Sequence, residues 1–195
     1  QVDFMANVRV LFDLFYPGVL PGTAVAVPPG IDVIQDIVNP AVAAMTVDPT
    51  GAFAIASIAQ TPVQFANGPE LLESIATALG GASGYPEILG LTHSQAYFDN
   101  TATQYTGALP SPTLAFINAN VQRFSGSPAG QNSLELSYTP TGDLRVPALT
   151  LSMFRDPVIP GFHRTIYGQT VAAMGNADLL VQRSVAGTGN GYGHC

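Results

Sequence analysis

The sequence predicts an α/β fold in which a mostly helical region, residues 1–140, precedes a strand–helix–strand unit, residues 141–195. Before residue 140, short stretches with helical spacing of apolar residues alternate with loops rich in Pro and Gly. After it, two apolar runs, 147–154 and 178–185, flank a segment with helical spacing. A strand, a crossover helix and a second strand favour parallel pairing of the two strands.

The first region is predicted to be a series of short helices. The first of them covers residues 2–16 and stops at Pro17, while a later one, over 67–81, opens with Pro and acidic residues and ends at Gly80-Gly81. The other predicted helices span residues 31–38, 40–47, 51–60, 112–124 and 132–138. The middle of the chain, just before 112–124, is predicted to be irregular.

The second region is predicted to begin with a turn at residues 140–143, which leads into a buried strand at 147–154. A helix follows Pro160 and ends at Gly175, and the second strand comes after it. Two parallel strands do not form a stable sheet by themselves. We therefore expect the sheet to be completed by polypeptide that this sequence does not contain.

Composition excludes several classes of function. The chain has no Lys, six Arg and a net charge of −7, so nucleic-acid binding is not expected. No apolar run reaches the roughly 18 residues of a transmembrane helix. Cys195 is the only cysteine, so no internal disulfide is expected. The low fraction of charged residues is compatible with a GC-rich genome, a secreted protein or extensive burial against a partner, and the sequence does not separate these. The compartment stays open, with secretion slightly favoured.

Asp156 is the first candidate catalytic residue. It follows the first predicted strand directly, and the carboxyl ends of parallel strands are where α/β sheets place ligands and catalytic groups. Pro157 and Pro160 would stiffen its loop and so help to hold a carboxylate in place. The structural alternative is a turn-forming Asp that caps the helix after Pro160.

His194 is the second candidate. It follows the second strand through a glycine-rich loop, which would let the backbone bend the imidazole back over the strand ends. A His placed there can take a proton from a Ser hydroxyl, provided that an Asp holds its other nitrogen. Asp156 also precedes His194 in the chain, which matches the order Ser, Asp, His of the catalytic residues in hydrolases built on α/β sheets. The alternative is a solvated histidine in a flexible tail.

The remaining polar motifs indicate structural roles. His93 and His163 are predicted to be structural, and the spacing of the histidines gives no support for a zinc site. Ser83 lies in Gly-Gly-Ala-Ser-Gly, which is not the G-x-S-x-G nucleophile motif, and the sequence contains no such motif. The glycine-rich run 187–191 is not followed by a helix, so phosphate binding is weakly supported. We expect no cofactor and no metal.

Residues 147–195 resemble the C-terminal part of α/β-hydrolase-fold enzymes. The matching pieces are PALTLSMFRDPVIP, the helix with Tyr167, LLVQRSV and GYGHC. The family carries its acid in the context Leu-Thr-Leu-x4-Asp-x3-Pro and its base after Gly, and Asp156 and His194 stand at those positions. Residues 1–140 are similar to the helical lid of such enzymes. The family's N-terminal sheet, oxyanion-hole loop and nucleophile elbow have no counterpart here, and Ser152 stands where a His often precedes the acid loop.

The resemblance implies a serine hydrolase of esters or amides, with esters first. Asp156 would orient the general base His194, and a second polypeptide segment would carry the nucleophilic Ser. Some apolar side chains of the lid could line an acyl or aromatic pocket, or they could pack in the core. These residues include Phe4, Phe12, Phe15 and Phe65. The alternative function is a non-catalytic subunit or binding module with a hydrolase-like fold.

Overall fold

The computed structural model describes residues 2–60, 68–185 and 192–194. Its elements combine many helices with a small parallel sheet. The α-helices are α1 (Val2–Phe15), α2 (Asn39–Val47), α3 (Pro49–Ala59), α4 (Gly68–Ala82), α5 (Tyr85–Leu91), α6 (Ser111–Asn120), α7 (Pro128–Tyr138) and α8 (Gly161–Ala173). The strands are β1 (Ala148–Met153) and β2 (Leu180–Val185), and the shorter helical pieces are a π-helix (Val33–Val38) and a 3-10 turn (Ala177–Leu179).

Helix α4 continues past the glycine pair that was predicted to end it. The reason is packing against α1: a Cβ atom on Gly81 would lie 2.4 Å from the Sδ atom of Met5. Gly81 therefore permits a close approach between two helices, and α4 ends only at Ala82. The prediction of an irregular middle is also wrong in part, because α5 forms there with Pro86 in its first turn.

Two other helix boundaries differ from the predictions. Helix α6 ends at Asn120, short of the predicted end at residue 124, because Val121 takes an extended conformation. Helix α7 begins at Pro128, four residues before the predicted start, because the Ser127 hydroxyl accepts a hydrogen bond from the amide of Gly130. A local cap thus sets the second boundary.

The hydrophobic core lies in the helical region. Helix α1 is at its centre, packed against α3 and α4, and its Val8, Leu11 and Phe12 are fully buried. Arg9 is buried with them, and its guanidinium is satisfied by the Asp13 carboxylate and by the backbone carbonyl of Gly22. A buried charge is tolerated when it is paired and hydrogen-bonded in this way.

None of the described helices is by itself long and apolar enough to cross a membrane. One pair, Val33–Val47 with Pro49–Ala59, meets the length and composition test jointly, and it is bent by 112°.

The predicted parallel pairing of the two strands is confirmed. β1 and β2 pair in register from Ala148↔Leu180 to Met153↔Val185, with α8 as the crossover. α8 lies against one face of this sheet. The Arg164 guanidinium on α8 donates to the Ser152 hydroxyl, and the Gln182 amide donates to the Arg164 carbonyl.

The opposite face of the sheet is exposed and mostly apolar, with Arg183 beside Leu151 as its charged residue. Leu149 and Leu151 are 61% and 58% exposed, and Val181 and Val185 beside them are exposed as well. The expectation of a buried β1 strand is therefore wrong for the described residues. The physical reason is that α8 covers the face bearing Ser152 and Gln182, while none of the described residues covers the leucine face.

Candidate active site

Asp156 lies in the loop that follows β1, and its side chain is 3% exposed. Its Oδ1 atom accepts hydrogen bonds from the amides of Val158 and Ile159, both at 2.9 Å. The carboxylate is thus locked in a local turn. It does not cap α8, since Pro160 is the N-cap residue there and no side chain bonds to that end. The structural alternative for Asp156 was a turn-forming residue that also caps α8. The turn is present, whereas the cap is not.

His194 lies against this carboxylate. Its Nδ1 atom is 2.8 Å from Oδ2 and 3.0 Å from Oδ1 of Asp156, so the Nδ1–H donates to the ionised carboxylate. The structure therefore brings together the two residues that the sequence singled out. The rest of the imidazole is open, because the His194 side chain is 44% exposed.

The backbone around the pair explains how the imidazole reaches the carboxylate. Arg155 and Tyr192 form an isolated parallel bridge, and the Gly193 amide donates to the Arg155 carbonyl at 3.0 Å. Gly193 has a φ of +139°, which a glycine adopts at no steric cost. This bend sets His194 beside Asp156. The glycine run 187–191 and Cys195 lie outside the described residues.

The arrangement has the geometry that a general base and its orienting acid require. A carboxylate that holds Nδ1–H fixes the tautomer, which leaves the Nε2 lone pair to accept a proton from a hydroxyl. The exposed part of the ring is where such a hydroxyl could approach. The pair has the geometry for nucleophile activation, and its catalytic role stays a prediction.

No serine in the described part of the chain is hydrogen-bonded to His194. The Ser83 hydroxyl donates to the Gly80 carbonyl at 2.5 Å, so Ser83 has a structural position just after the end of α4. Ser152 and Ser184 both contact the Arg164 guanidinium. Within residues 2–60, 68–185 and 192–194, no three His, Cys, Asp or Glu side chains come together as a metal site.

A cavity of about 760 Å³ lies between α1, α8 and the loop at residues 103–106. It reaches Ile159, whose amide donates to Asp156. Its aromatic lining consists of Phe4, Tyr105, Phe162, His163 and Tyr167. No arginine is among its described lining residues, and Asp3 is the one acidic side chain. The cavity thus offers apolar surface with neutral polar groups.

Of the phenylalanines considered for a pocket, only Phe4 lines this cavity. Phe12 is fully buried in the core and Phe15 packs against it, so core packing is their role. Phe65 lies outside the described residues. Phe162 could not be predicted as a lining residue from the sequence, because its contact with Phe4 depends on how α8 packs against α1.

His163, which the sequence predicts to be structural, is half-buried at the edge of the cavity. Its ring packs at 4.1 Å from Phe162 and edge-on at 5.7 Å from Phe4. Burial lowers the pKa of His163 to about 4, so its imidazole is neutral at physiological pH. His93, in contrast, is exposed and has a φ of +55°. Neither histidine contacts Asp156.

Comparison of the chain with protein-family models, curated proteins and solved structures finds no match.

Proposed function

We propose that this chain is the lid and C-terminal part of an α/β-hydrolase-fold serine hydrolase. His194 is its general base and Asp156 its orienting acid. The observation that carries the proposal is the 2.8 Å contact between His194 Nδ1 and Asp156 Oδ2, formed by loops that follow two neighbouring parallel strands. An acid and a base in these positions are what a Ser–His–Asp mechanism requires.

In this mechanism the His194 Nε2 atom removes the proton of a serine hydroxyl as the oxygen attacks the substrate carbonyl. The same proton then passes to the leaving alcohol, and water repeats the cycle on the acyl-enzyme. Asp156 stays ionised throughout and stabilises the imidazolium that forms. The amides of Val158 and Ile159 help to hold the carboxylate in place for that task.

A second polypeptide segment supplies the serine and the oxyanion donors in this proposal. The 195-residue sequence contains no G-x-S-x-G motif. The exposed leucine face of the β1–β2 sheet supports the docking of further polypeptide, since parallel sheets are normally covered on both faces. Such a segment would bring the serine to the carboxyl ends of the strands, where Asp156 and His194 lie.

An uncharged ester is the proposed substrate. The cavity beside Ile159 has aromatic and aliphatic walls, and its polar groups are neutral apart from Asp3. A substrate with a carboxylate would find no cation among the described lining residues and would meet the charge of Asp3. Esters rank before amides because an alcohol leaves an acyl centre more easily than an amine does.

A non-catalytic subunit is the second candidate, and it is favoured by the lack of any described serine against His194. The two functions differ in one simple observation. A hydrolase requires a segment with G-x-S-x-G in the natural protein, whereas a binding module does not.

The test is hydrolysis of 4-nitrophenyl butyrate by the natural protein that contains this chain. We expect His194→Gln and Asp156→Asn to lower kcat by about 10³-fold or more, because each disrupts the proton transfer. His93→Gln is the matched control, since His93 is exposed and distant in sequence from the pair. Activity that His194→Gln leaves within about tenfold of the wild type would refute the proposal.

A further inference from the structure

One helix contacts both loops that carry the Asp156–His194 pair. On α4, the Glu70 carboxylate forms an ion pair with Arg155, in which Nη2 donates to Oε1 at 3.4 Å and Nη1 lies 3.4 Å from Oε2. One turn further along α4, the Ser74 hydroxyl is hydrogen-bonded to the Tyr192 hydroxyl at 3.1 Å. Both contacts join the helical region to the strand–helix–strand unit.

The two contacts are protected from water. Ser74, Glu70 and Arg155 are all buried, so their interactions are stronger than those of surface pairs. Burial raises the pKa of Tyr192 to about 12, which keeps its hydroxyl protonated and available for the bond to Ser74. Because Glu70 and Ser74 are four residues apart, they lie on one face of α4 and present a single surface to the two loops.

The loops in turn connect these contacts to the pair. Arg155 directly precedes Asp156, and Tyr192 lies two residues before His194. The two loops also bond to each other, through the Arg155↔Tyr192 bridge and the Gly193 amide. If one loop moved on α4 relative to the other, the imidazole would move relative to the carboxylate.

We propose that Glu70 and Ser74 are positioning residues that hold the Asp156–His194 pair in register through Arg155 and Tyr192. The inference rests on the proposed function of the pair. His194 is half-exposed, so packing of its own ring contributes little to its orientation. Its alignment depends on the neighbouring backbone, and α4 fixes that backbone at two points. Catalytic side chains need such support, because small displacements lower the rate sharply.

The test is proton NMR of the natural protein that contains this chain, labelled with ¹⁵N-histidine. The Nδ1–H proton of His194, hydrogen-bonded to a carboxylate, gives a downfield resonance that is assigned by its loss in His194→Gln. We expect Ser74→Ala and Tyr192→Phe to speed the exchange of this proton with water by about three- to tenfold, because each removes the hydrogen bond between Tyr192 and α4. Glu70→Gln should speed the exchange more than either of these changes. Ser74→Thr keeps a hydroxyl at this position, so it should exchange at the wild-type rate.

Two matched controls remove comparable interactions elsewhere. Tyr16→Phe deletes a buried hydroxyl that bonds to the Asp48 carbonyl, and Asp13→Asn breaks the buried pair with Arg9. Both should leave the His194 resonance unchanged even where they lower the melting temperature. The inference is overturned if Ser74→Ala, Tyr192→Phe and Glu70→Gln exchange at the wild-type rate, or if the controls change it equally.

This readout is independent of turnover. A resonance that responds to the α4 variants in a protein with no esterase activity would support the positioning role and refute the proposed hydrolase. Absence of the downfield resonance from the wild-type natural protein would refute the hydrogen-bonded pair, and the positioning role with it.

Discussion

The Nδ1 atom of His194 lies 2.8 Å from the Oδ2 atom of Asp156, although 38 positions of the chain separate the two residues. The carboxylate is nearly inaccessible to solvent, while the imidazole is half-exposed. A buried acid beside an accessible base leaves one ring nitrogen free to act on a hydroxyl. This contact is the basis of the proposed general-base role of His194.

The buried ion pair between Glu70 and Arg155 should show in a double-mutant cycle. Glu70→Gln is expected to lower the free energy of unfolding by about 3 kcal/mol, because it removes the charge that faces a buried guanidinium. The double variant Glu70→Gln/Arg155→Gln should cost less than the sum of the single changes, by about 1–3 kcal/mol. Urea unfolding of the four proteins measures this coupling. Additive costs would show that the two side chains do not interact.

The exposed leucine face should matter more for assembly than for the stability of this chain. Leu151→Gln is expected to change the free energy of unfolding of the chain by less than about 0.5 kcal/mol, since the side chain is already exposed. It should, however, weaken association with the serine-bearing segment and lower ester turnover. Leu136→Gln on α7 is the control, because Leu136 is also an exposed leucine, more accessible than Leu151, and is far from the sheet in sequence. Equal effects of the two changes would contradict a docking role for this face.

His163 should make the protein less stable in mild acid. Its pKa is about 4 in the folded chain, lowered by burial from the ordinary value of 6.5. Between these two pH values the unfolded chain binds a proton that the folded chain does not, so stability present above pH 6.5 is lost as the pH falls to about 4. His163→Phe, which keeps the aromatic contacts, removes this dependence.

Urea unfolding at pH 7 and at pH 5 measures the difference. When the pH falls from 7 to 5, the free energy of unfolding of His163→Phe should rise relative to that of the wild type. An unchanged difference would show that His163 is solvated in the folded protein.

Narrowing the cavity beside Ile159 should affect long substrates selectively. Thr139 lies on the rim of the cavity, and Thr139→Trp is expected to raise KM for a 4-nitrophenyl octanoate by about tenfold while sparing the acetate. Thr141→Trp, two residues further along and outside the lining, is the control. The same KM for the octanoate in both variants would place the acyl chain elsewhere.

The sequence predicted the strand–helix–strand unit and the contact between Asp156 and His194 for a simple reason. Residues that follow neighbouring parallel strands arrive at the same edge of the sheet, so pairing of β1 with β2 is enough to bring them together. The contacts of α4 could not be predicted in this way. Glu70 and Arg155 are 85 positions apart and Ser74 and Tyr192 are 118 apart, and their meeting depends on how the helical region packs.

Two incorrect predictions, the end of α4 and the burial of β1, have local causes. Gly81 was interpreted as a helix terminator, whereas it permits close packing against Met5 within α4. The apolar residues of β1 predicted burial, yet an apolar run does not specify what covers each face of a strand. Leu149 and Leu151 are exposed for that reason.

Labelling of the natural protein with a fluorophosphonate, followed by mass spectrometry, identifies the nucleophilic serine that the proposed hydrolase requires. We expect an adduct on the serine of a G-x-S-x-G motif in a segment outside this sequence. Labelling should be slower by about 10³-fold in His194→Gln and unchanged in His93→Gln. An adduct on a serine of this sequence, no adduct at all, or labelling that His194→Gln leaves unchanged would contradict the proposed hydrolase.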